Sequence, residues 1–219
     1  MDKSSLRFFE PQEDVSIIER KLPHWSQPGV ITFITWRTDD SLPQPVISRL
    51  VAERNRWLRL HGINPISDWR ITVAELPAAQ RLEFRKSVDT AWHSELDNGH
   101  GRCVLRRPEL AAIVRDSLQK FDGDRYFLTD FVVMPNHVHL LAAFSQEDAI
   151  LSQSESWKRF MATNINRLLG QKGRFWQQDG FDHLVRTEEQ FQALRRYIEE
   201  NPQKAKLSPG DFLHFTKPL

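Results

Sequence analysis

The sequence predicts an α+β fold, and three observations carry that prediction. A β-branched and aromatic run, VITFITW, opens the regular part of the chain; a pair of similar runs, DRYFLTDFVVM and HVHLLAAF, meets at Pro135-Asn136; and amphipathic helical stretches alternate with them. With residues 38 to 107 set aside, the order is strand, helix, strand, strand, helix, strand, helix. That is the βαββαβ order of a ferredoxin-like antiparallel sheet with an added C-terminal helix.

Taken in order, residues 1–28 are polar and punctuated by proline, and are expected to be a weakly ordered lead-in. Val30 to Trp36 has no helical period and is expected to be a strand buried on at least one face. Residues from about 38 to 107 are helical in character and form an insertion after the first strand. VISRLVAERNRWLRLHG carries Val46, Leu50, Trp57 and Leu58, and LPAAQRLEFRKSVDTAWHSELDNG ends at Gly99, so two helices are expected. Pro108 suits the first turn of the next helix and Gly123 its C-terminal cap, with Leu110, Ile113, Val114 and Leu118 on one side.

The two strand-like runs then form a hairpin, because proline fixes φ and asparagine tolerates the left-handed region. ESWKRFMATNINRLLG places Trp157, Phe160, Met161, Ile165 and Leu168 at helical spacing and stops at Gly170. FDHLVR is short enough for an edge strand. The last helix, TEEQFQALRRYIEENP, has Thr187 as its cap and Phe191, Leu194 and Ile198 as its stripe, and Pro202 is expected to bend or end it. Residues 208–219 are left as a tail, with the main domain over 29–207.

Composition excludes little. The 219 residues carry a net charge of +1, which neither requires nor forbids nucleic acid, since phosphate binding depends on where Lys and Arg cluster. The single cysteine, Cys103, has no intrachain partner, the N-terminus lacks a signal-peptide pattern, and a cytoplasmic protein is expected. No apolar segment approaches the ~20 residues that span a bilayer, so no membrane partner is expected.

The chemistry concentrates in FVVMPNHVHLLAAF. In a strand His137 and His139 face the same way, with Cβ atoms roughly 6.5–7 Å apart, close enough to converge on one cation. The chain has eight histidines, so one His-x-His pair is weak evidence, and two polar side chains on a half-polar sheet face explain it equally well. The last helix adds context. Tyr197 lies about 90° from the centre of its apolar stripe and Asn201 falls on the same side one turn later. A border tyrosine with a wet hydroxyl and an asparagine serving as a C-cap is the alternative.

MPNHVHLL together with YIEENPQKAKL resembles the HUH single-tyrosine transposases, specifically the REP-associated tyrosine transposases, whose pattern pairs MPNHVH with Y-I-x-x-N-P-V-K-A-G-L. VITFITWRT, GRCVLRRPELAAIV and FWQQDGFDHLVR extend the resemblance over roughly residues 25 to 207. The chain departs from the pattern at Gln203 and Lys206, where Val and Gly are usual, and in the length of residues 38–100.

The resemblance implies cleavage and rejoining of single-stranded DNA at REP-like hairpins, with Tyr197 as nucleophile, a 5′-phosphotyrosine intermediate, and Mg2+ or Mn2+ held by His137, His139 and Asn201. It leaves open a monomer or a homodimer. A phenol with a pKa near 10 attacking an anionic phosphate is helped by such a cation. For DNA contacts, Lys158, Arg159, Arg167, Lys172 and Arg174 make residues 157 to 176 basic, with Trp157, Phe175 and Trp176 interleaved for base stacking; a solvated helix face with Trp157 in the core is the alternative. Arg195 and Arg196 either hold the strand near the cut or pair with Glu199 and Glu200. Asp182 and His183 either support the site from the short strand or are structural. Two other functions remain open: a non-catalytic binder of folded single-stranded nucleic acid, and a metal phosphoesterase that uses water.

Overall fold

The computed structural model describes residues 6–19, 23–89, 91, 95, 99–146, 149–178 and 180–218. The chain divides into two compact units, Met1–Asp39 with Cys103–Leu219, and Asp40–Arg102.

The first unit is built on a five-stranded antiparallel sheet. Its strands are β3 (Ile31–Arg37), β4 (Tyr126–Val133), β5 (His137–Phe144), β6 (Phe181–Leu184) and β7 (Leu213–Thr216), in the order β6-β3-β5-β4-β7. The first four have the ferredoxin-like arrangement that the element order predicts. β7 adds a strand that was expected to be tail, pairing Leu213–Thr216 with Asp130–Val133. Leu213 and Phe215 alternate with His214 and Thr216, but a run of four residues is too short for a period-2 signal to stand out. The lead-in also differs from expectation. β1 (Ser16–Glu19) and β2 (Pro23–Ser26) form a separate antiparallel ribbon, and Phe9 donates its N–H to the Val185 carbonyl at 2.8 Å. Residues 1–5 and 20–22 of the lead-in lie outside the described residues.

Three helices cover the sheet: α4 (Pro108–Gln119) and α5 (Ala149–Leu169) on one face, α6 (Glu188–Lys204) on the other. On the α4–α5 face Leu110, Val114, Leu118, Trp157, Met161 and Ile165 pack on Ile34, Trp36, Val138 and Leu140. Full burial of each such side chain stabilises by about 1.5–3 kcal/mol. On the α6 face Phe191 and Ile198 pack on Ile31, Phe33, Val132 and Leu141. Alternation along β5 thus sends Val138 and Leu140 one way and His137, His139 and Leu141 the other. β4 is buried on both faces, and a bulge between Leu128 and Asp130 turns Asp130 and Val132 toward α6.

Two details of α5 and α4 correct the expected stripes. Phe160 and Leu168 are 49% and 52% exposed, because the buried line runs through Trp157, Met161 and Ile165 and those two sit beyond its border. Gly123 does not cap α4, which ends at Gln119; its φ of 87° serves the turn into β4.

Pro202 does not end α6, which runs to Lys204. In the last turn a proline forfeits only one bond, to the carbonyl four residues back. The helix closes instead in a Schellman motif: the N–H of Lys206 donates to the Gln203 carbonyl at 2.9 Å and that of Leu207 to the Pro202 carbonyl at 2.9 Å. Lys206 is therefore left-handed, with φ 55°. The transposase pattern that the sequence resembles has glycine at this position, and a lysine there bears the Cβ clash that glycine lacks. Lys206→Gly is expected to stabilise the protein by about 0.5–1 kcal/mol in urea unfolding.

The second unit contains α1 (Gln44–Leu60), α2 (Trp69–Glu75) and α3 (Ala78–Phe84), the last continuing as a π turn over Arg85–Asp89. Trp57, Leu58, Ile63, Phe84 and Val88 form its core. Two helices were expected over this region; α2 is additional, and it has no buried residue of its own. Residues 90, 92–94 and 96–98 of the expected second helix lie outside the described residues. The unit is narrower than 38–107, because Leu105, just before α4, bonds through its N–H to the Pro135 carbonyl of the first unit.

Candidate active site on the α6 face of the sheet

The hairpin turn orients the first histidine. Met134 donates its N–H to the His137 carbonyl at 2.8 Å, closing a two-residue loop of Pro135 and Asn136. Asn136 is buried, its carbonyl accepts from the N–H of Thr38 at 2.8 Å, and its side-chain Oδ1 lies 2.7 Å from Nδ1 of His137. A carbonyl oxygen only accepts, so Nδ1 carries the proton and Nε2 is left as a bare lone pair. That Nε2 is buried and has no hydrogen-bond partner. Burial, with help from the nearby Arg37 guanidinium, pushes the His137 pKa from 6.5 down to about 3, against a smaller opposing influence of Asn201.

His139 is held in the same manner. It faces Thr35 across the β3–β5 pair, with Nδ1 2.8 Å from Thr35 Oγ1, and stacks on Phe33 at 5.4 Å between ring centroids. Its Nε2 faces α6, where Oη of Tyr197 lies 3.4 Å away. The His137 and His139 rings are 4.7 Å apart. Strand alternation supplies this pairing, and residue-level hydrogen bonds aim it.

Helix α6 brings the other two groups. Thr187 caps its N-terminus by accepting from the Gln190 N–H at 3.2 Å. Tyr197 is half-buried and packs edge-on to Phe33 at 6.0 Å and His139 at 5.2 Å, which leaves its hydroxyl at the border of the buried face. Asn201, one turn later, is 1% exposed, and its Oδ1 is buried without a hydrogen-bond partner. Asn201 influences the titration of His137, yet neither Nε2 of His137 nor Oδ1 of Asn201 completes a bond of acceptable geometry. Two acceptors cannot bond each other, and each buried orphan costs roughly 1–3 kcal/mol.

The structure thus brings His137, His139, Tyr197 and Asn201 to one face. An orphaned imidazole nitrogen, an orphaned amide oxygen and a second imidazole fit a cation. Two imidazoles and an amide carry no charge, so the set leaves a bound cation's charge uncompensated, and among the described residues no group of three or more His, Cys, Asp and Glu side chains suited to a metal occurs.

The expected DNA-contacting residues are not all presented. Trp176 is 3% exposed and packs in the α4–α5 core with Trp157 and Phe175, because the loop carrying it bridges to Thr38; it offers no face to a base. Lys158 turns inward, donating to the carbonyls of Gln177 and Gln178 at 2.6 and 2.8 Å. Arg195 pairs with buried Asp130 through Nε at 3.0 Å and donates to Thr216 Oγ1 and the Lys217 carbonyl, so neither Glu199 nor Glu200 nor a strand is its partner. Arg159, Arg167, Lys172, Arg174 and Arg196 are exposed, with Arg167 donating to Asn164 and Arg174 3.9 Å from Asp39. Asp182 pairs with His24 on the opposite side of β6 from the site, while His183 lies against Phe33 on the site face.

Several residues at the site were not singled out by sequence. On sequence grounds Asn136 has only a turn role, although Pro-Asn-His is a signal that the amide sits beside the imidazole. Thr35 and Arg37 become visible only through the β3–β5 register, which pairs them with His139 and His137. Lys204 lies two turns after Tyr197, with Nζ 5.6 Å from the ring centroid, and i to i+7 spacing was available to find it.

Burial of a neutral His137 has a measurable consequence. The unfolded chain binds a proton at this residue below 6.5 and the folded chain only below about 3, so stability from this group is complete above pH 6.5 and falls as pH drops toward 3. One such proton contributes a slope of no more than about 1.4 kcal/mol per pH unit. Urea unfolding in EDTA across that window is expected to show the slope, reduced in His137→Gln. His183, lowered by burial and by Arg186, adds to it in the same direction.

The chain matches no protein-family model and no curated protein. It is similar to a solved structure of a REP-associated tyrosine transposase bound to a REP hairpin, at 15% identity over 85% of this chain and 74% of that one, with a TM-score of 0.46. Likeness at that level establishes neither family nor activity. Among the described residues no helix is long and apolar enough to cross a membrane.

Proposed function

We propose that the protein is a metal-dependent transesterase that cleaves and rejoins single-stranded DNA, with Tyr197 as the nucleophile. The observation that carries this reading is the pair of buried orphan acceptors, Nε2 of His137 and Oδ1 of Asn201, on the face where Tyr197 Oη approaches His139. The motif resemblance supplies the substrate class, REP-like hairpins with single-stranded flanks.

His137, His139 and Asn201 hold Mg2+ or Mn2+, and two imidazoles favour Mn2+ of the two. Bound there, the cation supplies positive charge against a non-bridging phosphoryl oxygen. Because its protein ligands are neutral, the site binds cation and phosphate together better than cation alone. Asn136 and Thr35 keep both imidazoles in the tautomer that leaves Nε2 unprotonated. Tyr197 Oη forms a bond to phosphorus and the P–O3′ bond breaks; the phenol loses a proton and the departing 3′-oxygen gains one. The 5′-phosphotyrosine conserves the ester energy, so a 3′-OH reseals the strand without ATP. Arg37, beside the metal ligands, supplies positive charge to the phosphate, and Lys204, beside the tyrosine ring and paired with Glu200 at 3.0 Å, adds a weaker contribution.

The test uses labelled hairpin DNA with single-stranded flanks, incubated with the protein and Mg2+ or Mn2+. A denaturant-stable protein–DNA adduct that disappears in EDTA is expected. Cleavage without an adduct favours a water-using phosphoesterase, and binding without cleavage favours a non-catalytic single-strand binder.

A further inference from the structure

Beside the site, a cavity of about 340 Å³ opens at the β6 edge of the sheet. Phe9, Trp25, Phe181, His183, Arg186 and Gln190 line it. The β3–β6 register sets Phe181 opposite Thr35 and His183 opposite Phe33, so the cavity opens on the same sheet face as His139. Ring contacts connect it to the nucleophile: His183 to Phe33 at 5.4 Å, and Phe33 to Tyr197 at 6.0 Å. The mouth therefore lies within a few nucleotides' reach of a phosphate at Tyr197.

The walls are built and not incidental. Phe9 is fixed by its N–H bond to Val185 and stands edge-on to Trp25 at 6.5 Å. Phe181 stands edge-on to His183 at 5.6 Å. Trp25 and Phe181 are nonetheless 42% and 43% exposed, large aromatic surface left toward solvent around a concave site. The polar complement is small, and its one carboxylate, Asp182, is paired with His24. Gln190 uses Oε1 to accept from the Arg186 N–H at 2.8 Å, which leaves its amide hydrogens to donate. His183 is kept neutral by burial and by Arg186, and so offers one donor and one acceptor. Arg186 is an exposed cation at the rim.

We infer that this cavity takes one unstacked nucleobase of the bound single strand, held between Trp25 and Phe181, edge-bonded by His183 and Gln190, with the adjoining phosphate on Arg186. Aromatic faces suit any base, and a few neutral donors and acceptors with one cation suit a base and its phosphate better than an anionic or a purely apolar ligand. The inference rests on the single-strand reading above and gives that reading a place where sequence next to the cut is sensed.

The experiment uses the full chain carrying Tyr197→Phe, so that binding is read without cleavage. Hairpin oligonucleotides with single-stranded extensions of about eight nucleotides on each side are titrated, each extension base being replaced in turn by an abasic site. One abasic position is expected to raise Kd about tenfold, the loss of one base–aromatic stack. Trp25→Ala and Phe181→Ala are each expected to raise Kd about tenfold on intact DNA and to be insensitive to that same abasic position, while Trp25→Phe restores most of the affinity. Both alanine variants lie at partly exposed positions, and circular dichroism checks their fold. Variants that bind as the parent does, or losses that add to the abasic loss, overturn the inference. Adduct formation by the parent chain is scored separately: adduct with unaltered binding by the variants removes the pocket alone, and a coupled pocket without adduct removes the catalytic reading alone.

Discussion

Tyr197→Phe is expected to abolish the covalent adduct and reduce strand cleavage to background while leaving a protein as stable as the parent. The hydroxyl lies 3.4 Å from His139 Nε2, a long bond at a half-buried position, so its loss costs stability no more than about 0.5 kcal/mol. The ring keeps its packing on Phe33. Divalent-ion binding, followed by titration calorimetry with Mn2+ and hairpin DNA, is expected to persist. His137→Ala has the opposite signature. It removes a proposed ligand, so metal binding is expected to be lost and cleavage to drop by about 10²–10³-fold with Tyr197 intact. A single protein with both lesions is no slower than Tyr197→Phe alone. The other tyrosine, Tyr126, does not substitute, since it is fully buried and its hydroxyl donates to the Leu118 carbonyl at 2.7 Å.

The second large effect is on stability. Arg195→Ala is expected to destabilise the protein by about 3–5 kcal/mol and to lower Tm by on the order of 10 °C. Asp130 is 1% exposed at the β4 bulge and receives Arg195 Nε at both oxygens, 3.1 and 3.0 Å. Removing the guanidinium leaves that carboxylate inside the protein with Thr216 as its remaining donor. Asp130→Ala is expected to cost less, about 2–3 kcal/mol, because Arg195 has a side chain 21% exposed and reaches solvent. Both changes also loosen the attachment of α6 to β4 two residues from Tyr197. Cleavage is therefore expected to fall at saturating DNA even where the protein remains folded, and the conservative Asp130→Asn to recover part of it. Thermal melts combined with single-turnover cleavage separate the two consequences.

The same pair shows what the sequence conceals. Arg195 looked like a surface cation beside Tyr197, with Glu199 and Glu200 at hand, and helical spacing offers no reason to connect it with Asp130, sixty-five residues earlier. A bulge turns Asp130 toward α6, and bulges leave no simple period in sequence. The interleaved aromatics failed for a related reason. Trp157, Phe175 and Trp176 read as a stacking surface among basic residues, but the large apolar rings fill the α4–α5 core, where their burial stabilises far more than solvent exposure would. Lys158 follows them inward to satisfy two loop carbonyls.

What was legible is equally specific. Period-2 alternation put His137 and His139 on one face, and the helical angle of Tyr197 and Asn201 put both at the border of the stripe defined by Phe191 and Ile198. The four-strand sheet order followed from counting elements, because short connections and crossover rules leave few alternatives. The short strand β7 and the β1–β2 ribbon did not follow, since four-residue strands held by their neighbours have little local signature. Register itself, which brings Thr35 to His139 and Arg37 to His137, is a pairing between distant segments that one sequence does not display.

The central claim is that Tyr197 attacks DNA from a face built by His137, His139 and Asn201. Tandem mass spectrometry on the protease-digested adduct, formed with hairpin DNA and Mn2+, tests it most directly. A peptide containing Tyr197 with a 5′-phosphonucleotide on its phenolic oxygen is the predicted result. Modification at any other residue, or cleaved DNA with no modified peptide, contradicts it.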